Sequence, residues 1–193
     1  MTHKTSFDSE ASDADVEEEI IETKAQSIDQ IFKDDSLIKA ISEILTSVIE
    51  EKRKLPYYKK VIKSQTKMVF SSTNIPKISI EDYLTRIQKY AKLEKSTLII
   101  SLIYIDRICA KKLTLTYFNV HRIIFSAILI SIKYNEDVYY KNKYYAEIAG
   151  VNVKELEILE HSFLDLLEFK LFVDDHTYEK YRTYLDDYES GDK

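Results

Sequence analysis

Chain breakers and cross-links are scarce in this sequence. Its 193 residues include two glycines, two prolines, one cysteine and no tryptophan. So few breakers leave little material for the tight turns of a many-stranded sandwich, and favour helices joined by short connections. Cys109 sits alone in an apolar run. It has no partner for an internal disulfide and reads as a small buried hydrophobe. No apolar run reaches membrane-spanning length, and no apolar stretch of secretory type lies near the N-terminus. The expectation is an intracellular protein, nuclear or cytoplasmic, without a membrane partner.

Chemistry-bearing motifs are missing as well. The sequence has no glycine-rich phosphate loop, no nucleophile beside a plausible base, and no paired acids in a cleft-forming pattern. His3, His121, His161 and His176 are scattered without ligand spacing. No catalytic residue, metal or cofactor is expected. The net charge of -5 also argues against a nucleic-acid partner, which selects a basic face.

What is present is apolar material in helical register. Hydrophobic residues make up 45% of the chain, enough for a core. Residues 1–33 read as an acidic, mostly disordered tail, with one stripe (Ile21, Ala25, Ile28, Phe32) that suits a short helix. Residues 34–78 read as a helix capped near Asp34-Asp35-Ser36, followed by a basic connector around Pro56 and a loop from Phe70 to Pro76. The helix carries Leu37, Ile41, Ile44, Leu45, Val48 and Ile49 at helical spacing. The connector reads as a solvated face, a nuclear-import signal centred on Lys52-Arg53-Lys54, or a site for acidic or phosphorylated substrates.

Residues 79–173 predict five helices: about 79–92, 95–111, 117–134, 143–149 and 152–168. Ser79 with Asp82, and Asn152 with Glu155, form capping boxes, and Gly150 suits a left-handed stop. The second and third helices are apolar nearly all round and must be central. A last amphipathic helix fits 174–193.

Several motifs then line up in order. Tyr104-Ile105-Asp106-Arg107, Asn119-Val120-His121-Arg122-Ile123-Ile124, Ser131-Ile132-Lys133-Tyr134, Tyr144-Tyr145-Ala146-Glu147 and Leu159-Glu160-His161-Ser162-Phe163-Leu164 resemble motifs of cyclins. Phe70, Pro76, Ile78-Ser79-Ile80, Tyr83-Leu84 and Arg86-Ile87 resemble the Pho80-like branch, also called P- or U-type. Ala149 departs from that branch, which usually has glycine there. The resemblance implies an all-α fold: a single five-helix cyclin box with a packing helix before it. It also implies a regulator of a cyclin-dependent protein kinase, in nutrient or phosphate signalling or in division. A TFIIB-like cyclin fold and a helical scaffold that binds no kinase are the rival readings.

The resemblance further implies a kinase-binding set of Lys133, Glu160, Ile130, Tyr134, Leu164, Phe169 and Leu171. Helical angles add that Arg122, Ser126 and Lys133 share one strip, where a small serine leaves room for a partner. Lys133 also suits the helix dipole, and an internal Lys133–Glu160 pair is the plainer alternative. Glu136 and Asp137 read as solvated loop charges or as contacts for the kinase activation segment. Asp106 and Arg107 interrupt an apolar run, and such charges must be paired, so both are expected to serve structure.

Overall fold

Apolar spacing in residues 35–53 builds the first helix of the computed structural model, which describes residues 35–111 and 113–190. The chain divides into two units, Met1–Asp35 and Ser36–Lys193, and the buried core of the described residues lies in the second. The expectations for the acidic tail and for Asp34 as a cap lie outside the described residues. In α1 (residues 35–53), Leu37, Ile38, Ile41, Leu45 and Ile49 recur every three or four residues, and all are buried.

Pro56 disfavours a helical residue before it, and α1 ends at residue 53. A helix that the sequence pattern did not announce comes next, α2 (Tyr58–Gln65), inside the basic connector. Tyr58, Val61 and Ile62 are half-buried and Gln65 is buried, an i, i+3, i+4, i+7 stripe. The Gln65 amide, turned to satisfy both its atoms, donates to the Thr114 carbonyl at 3.0 Å and accepts from the Thr114 N–H at 2.9 Å.

The five expected box helices are α3 (Ile80–Ala91), α4 (Lys95–Lys111), α5 (Val120–Asn135), α6 (Asn142–Ala149) and α7 (Val153–Leu166). The Ser79 hydroxyl oxygen accepts from the Asp82 N–H at 2.9 Å. It donates to the Asp82 carboxylate at 2.7 Å, so the box closes through the hydroxyl. Asn152 caps α7, accepting from the Glu155 N–H at 2.9 Å. Glu155 does not reach back as expected: its carboxylate takes the Arg122 guanidinium instead, a charge-assisted pairing that outweighs one amide. Gly150 stops α6 with φ of 74°, the left-handed geometry that glycine adopts without strain.

Twelve residues of α5, from Val120 to Ile132, are buried. The helix lies between α4 and α7 and also meets α3 and α6. It begins at Val120 and not at Tyr117 because Asn119 turns the chain, its side-chain oxygen accepting from the Thr116 N–H at 2.8 Å. The buried hydroxyls of α5 are satisfied: Ser131 donates to the Thr97 carbonyl at 3.1 Å. The C-terminal residues form α8 (Asp175–Ser190), which packs on α4 and buries Leu185 completely. Cys109 is half-buried. Burial first, then nearby Asp106, pushes its thiol up to about 12, so it stays protonated. Among the described residues there is no strand.

Candidate functional site

Two ion pairs join α5 to α7. Near the start of α5, Arg122 meets Glu155 at 2.5 Å. Near its end, the Lys133 ammonium meets the Glu160 carboxylate at 2.6 Å, with the two side chains only 24% and 18% exposed. Asn142, opening α6, reaches the other Glu160 oxygen at 3.5 Å. The two groups are therefore already paired in the free chain, the plainer alternative left open by the sequence. Ser126 lies between these pairs and is fully buried. It donates back to the Arg122 carbonyl at 2.8 Å, so the room expected beside this small residue is closed.

Glu160 leads to Leu164 one turn on, half-buried against the core. The chain then reverses. Glu168 and Phe169 both hold φ of 55°, a left-handed conformation that costs a non-glycine residue roughly 1–2 kcal/mol. The Phe169 N–H closes the turn on the Leu164 carbonyl at 3.0 Å, and its ring is 60% exposed. Strain of this sort gathers at binding sites, where surrounding structure holds it.

Residues 170–173 then run outside any helix and are pinned from α4. The Tyr104 hydroxyl donates to the Leu171 carbonyl at 2.9 Å. Arg107 donates to the Lys170 carbonyl at 3.0 Å and the Phe172 carbonyl at 3.1 Å. Burial pushes the Tyr104 hydroxyl up to about 12, so it remains a donor at physiological pH. Leu171 and Val173 turn inward, half-buried, while Phe172 between them is 73% exposed. The sequence reading missed Phe172. The signal was three successive apolar residues, Leu171-Phe172-Val173, which cannot all face inward where neighbouring side chains point to opposite sides.

The remaining expected residues divide. Tyr134 is 51% exposed beside Lys133. Ile130 is 2% exposed and belongs to the core. It seats α5 and offers no surface to a partner, because α5 is covered on every side at that level. Glu136 is half-buried and accepts from the Thr97 hydroxyl at 2.7 Å, binding the end of α5 to the start of α4. Asp137 is exposed. Beyond it the loop presents Val138, Tyr139 and Tyr140, each more than half exposed.

Asp106 and Arg107 do not form a buried pair; each bonds a later segment of the chain. Asp106 is exposed and accepts from the Tyr181 hydroxyl of α8 at 2.6 Å, while Arg107 holds the 170–172 backbone. The apolar run of α4 places both on its rim, where α8 and the segment after α7 arrive. Three residues of the Tyr104-Ile105-Asp106-Arg107 motif thus fasten the chain beyond α7.

No group of three or more His, Cys, Asp or Glu among the described residues is placed to hold a metal ion. The arrangement is a half-buried ion pair continued by apolar and aromatic side chains, which suits recognition of a protein surface.

Comparison with known proteins agrees with this architecture. The family described as Cyclin matches residues 9–171. The chain is similar to Cyclin-U2-1 of Arabidopsis thaliana, 35% identical over 164 residues that cover 80% of this chain and 72% of that protein. It is similar to PHO85 cyclin-7 of Saccharomyces cerevisiae, 31% identical over 204 aligned positions that cover 94% of this chain and 72% of that one. Similarity to Cyclin-U4-1 of Arabidopsis thaliana reaches 38% identity over 124 residues, 63% of this chain and 61% of that relative's own length. The chain belongs to the cyclin family.

Proposed function

We propose that this chain is a regulatory subunit that binds a cyclin-dependent protein kinase and biases it toward its active arrangement, catalysing nothing itself. The observation that carries the reading is the continuous path from the Lys133–Glu160 pair through Leu164 to the exposed rings of Phe169 and Phe172. A half-buried ion pair beside apolar anchors, desolvated when a partner covers it, fixes register and orientation in an interface. The name of PHO85 cyclin-7 supports a kinase as the occupant.

The mechanism is a population shift. Contacts made only to the active position of the kinase's helix C stabilise the lysine–glutamate pair that phosphoryl transfer requires. Lys133 donates to backbone carbonyls of that helix, Glu160 accepts from its amides or side chains, and Tyr134, Leu164, Phe169 and Leu171 supply apolar contact. Asp137, exposed in the loop after α5, meets cations of the activation segment. The setting is nutrient signalling or division control, and the identity of the captured kinase separates the two.

Capture from native lysate on the immobilised full chain, read by mass spectrometry and followed by a kinase assay, tests the reading. A cyclin-dependent kinase recovered by the wild-type chain, and lost with Phe169→Ala/Phe172→Ala while the melting temperature holds, is the expected result. Recovery of transcription factors and no kinase, or full recovery by the double variant, overturns it.

A further inference from the structure

Residues 52–80 hold eight of the chain's 28 Lys and Arg residues and none of its 33 Asp and Glu residues. The concentration is opposite in sign to the net charge of -5, and all eight cations are exposed. The helix α2 organises them. Its half-buried stripe faces inward, and Lys59, Lys60 and Lys63 fall on the opposite side at i, i+3 and i, i+4 spacing, close enough to repel one another. None of the three has an ion-pair partner among the described residues. Lys52 and Lys54, at the end of α1, add to the same short stretch. Among the described residues only Arg53 is compensated, by Glu50 at 2.7 Å.

Among the described residues, carboxylates are plentiful elsewhere and none is paired with the lysines of this face. An anion seated on this face would relieve the repulsion between its lysines. We propose that the cationic face of α2, with Lys52 and Lys54, binds an acidic or phosphorylated segment of a protein that the kinase complex acts on. This rests on the proposed kinase-binding function for its biological setting, though not for the binding itself.

A peptide is favoured over nucleic acid. The negative whole-chain charge repels a long polyanion, and Tyr57, 54% exposed, is the single largely exposed aromatic among residues 52–67 on which a base would stack. An anionic membrane is disfavoured because the apolar stripe of α2 is turned into the fold, leaving no apolar side to insert.

The test is fluorescence anisotropy on the full chain. The probes are a labelled Asp/Glu-rich peptide, its Asn/Gln counterpart and a phosphoserine form of the latter. The acidic and phosphorylated probes are expected to bind and the neutral one not, with affinity falling steeply as salt is raised and screening shortens. Lys59→Glu/Lys63→Glu is expected to weaken binding at least about tenfold. Lys154→Glu/Lys180→Glu, an equal charge change on exposed lysines of α7 and α8, is expected to leave it within about twofold. Circular dichroism confirms that both variants fold.

Equal losses in the two double variants overturn the proposal, because whole-chain charge would then explain the binding. Tighter binding of a single-stranded oligonucleotide or of anionic vesicles at physiological salt also overturns it. Loss of kinase capture by the wild-type chain with peptide binding intact would fail the kinase-binding function alone; the converse would fail the anion-binding face alone.

Discussion

α5 and α2 are opposite solutions to the same problem of placing charge on a helix. Lys133 and Arg122 on α5 are each matched by a carboxylate from α7, in a helix buried over most of its length. The lysines of α2 have no such match among the described residues, and the helix buries a single residue, Gln65. Where desolvation is costly the charge is paired within the fold. Where water screens it, the charge stays open to a partner. α5 therefore sets the geometry of the domain, and α2 displays charge at small cost to it.

The widest gap between the two helices is expected in stability. Leu129 is 0% exposed, and Leu129→Ala should lower unfolding free energy by about 2–5 kcal/mol in denaturant titration. A loss below about 1 kcal/mol would mean that α5 is not the centre of the core. Arg107→Ala comes next. It removes two bonds to the 170–172 carbonyls and should cost roughly 1–2 kcal/mol. It should also raise hydrogen exchange of amides 170–173 and weaken kinase capture, because Phe169 and Phe172 lose their fixed presentation. Unchanged exchange there would show the pin to be idle.

A smaller effect is expected from His121. Its Nε2 lies 3.0 Å from the Ile78 carbonyl, so it carries the proton. Burial, outweighing backbone bonds to Ile78 and Ser79, lowers the imidazole below its ordinary 6.5. The unfolded chain then binds the proton more readily. Stability is present above the unfolded value and falls as pH drops below about 6.5. His121→Gln should flatten melting temperature between about pH 5 and 7; a variant that keeps the full acid slope assigns it to other groups. Lys60→Ala on α2 should shift stability by no more than about 0.5 kcal/mol, and a larger loss would mean that its charge is engaged in the fold.

Much of this was legible in sequence where one period dominated. α4 is readable end to end, and α5 to within a turn, because apolar residues surround both. α2 is obscured by seven cations in residues 52–67, although Tyr58, Val61, Ile62 and Gln65 carry the helical stripe. Partners are harder than elements. Asp106 is expected to be paired, yet that α8 supplies Tyr181 requires the tertiary path of residues 175–190. Ile130 is misplaced by sequence for a related reason: an all-apolar helix has no face that sequence marks as outside. Glu155 reads as a cap because its spacing fits one, whereas Arg122, 33 residues away, forms the stronger bond.

Under the proposed function, Lys133 and Glu160 recognise a kinase and do more than join α5 to α7. Exchanging them, Lys133→Glu with Glu160→Lys, keeps the internal pair while reversing its polarity toward a partner. Titration calorimetry of the purified kinase into this variant is the direct measurement. The expected result is a melting temperature near wild type and binding weakened by about 2–5 kcal/mol, on the order of 30-fold or more. Wild-type affinity in a folded, charge-exchanged chain would contradict it.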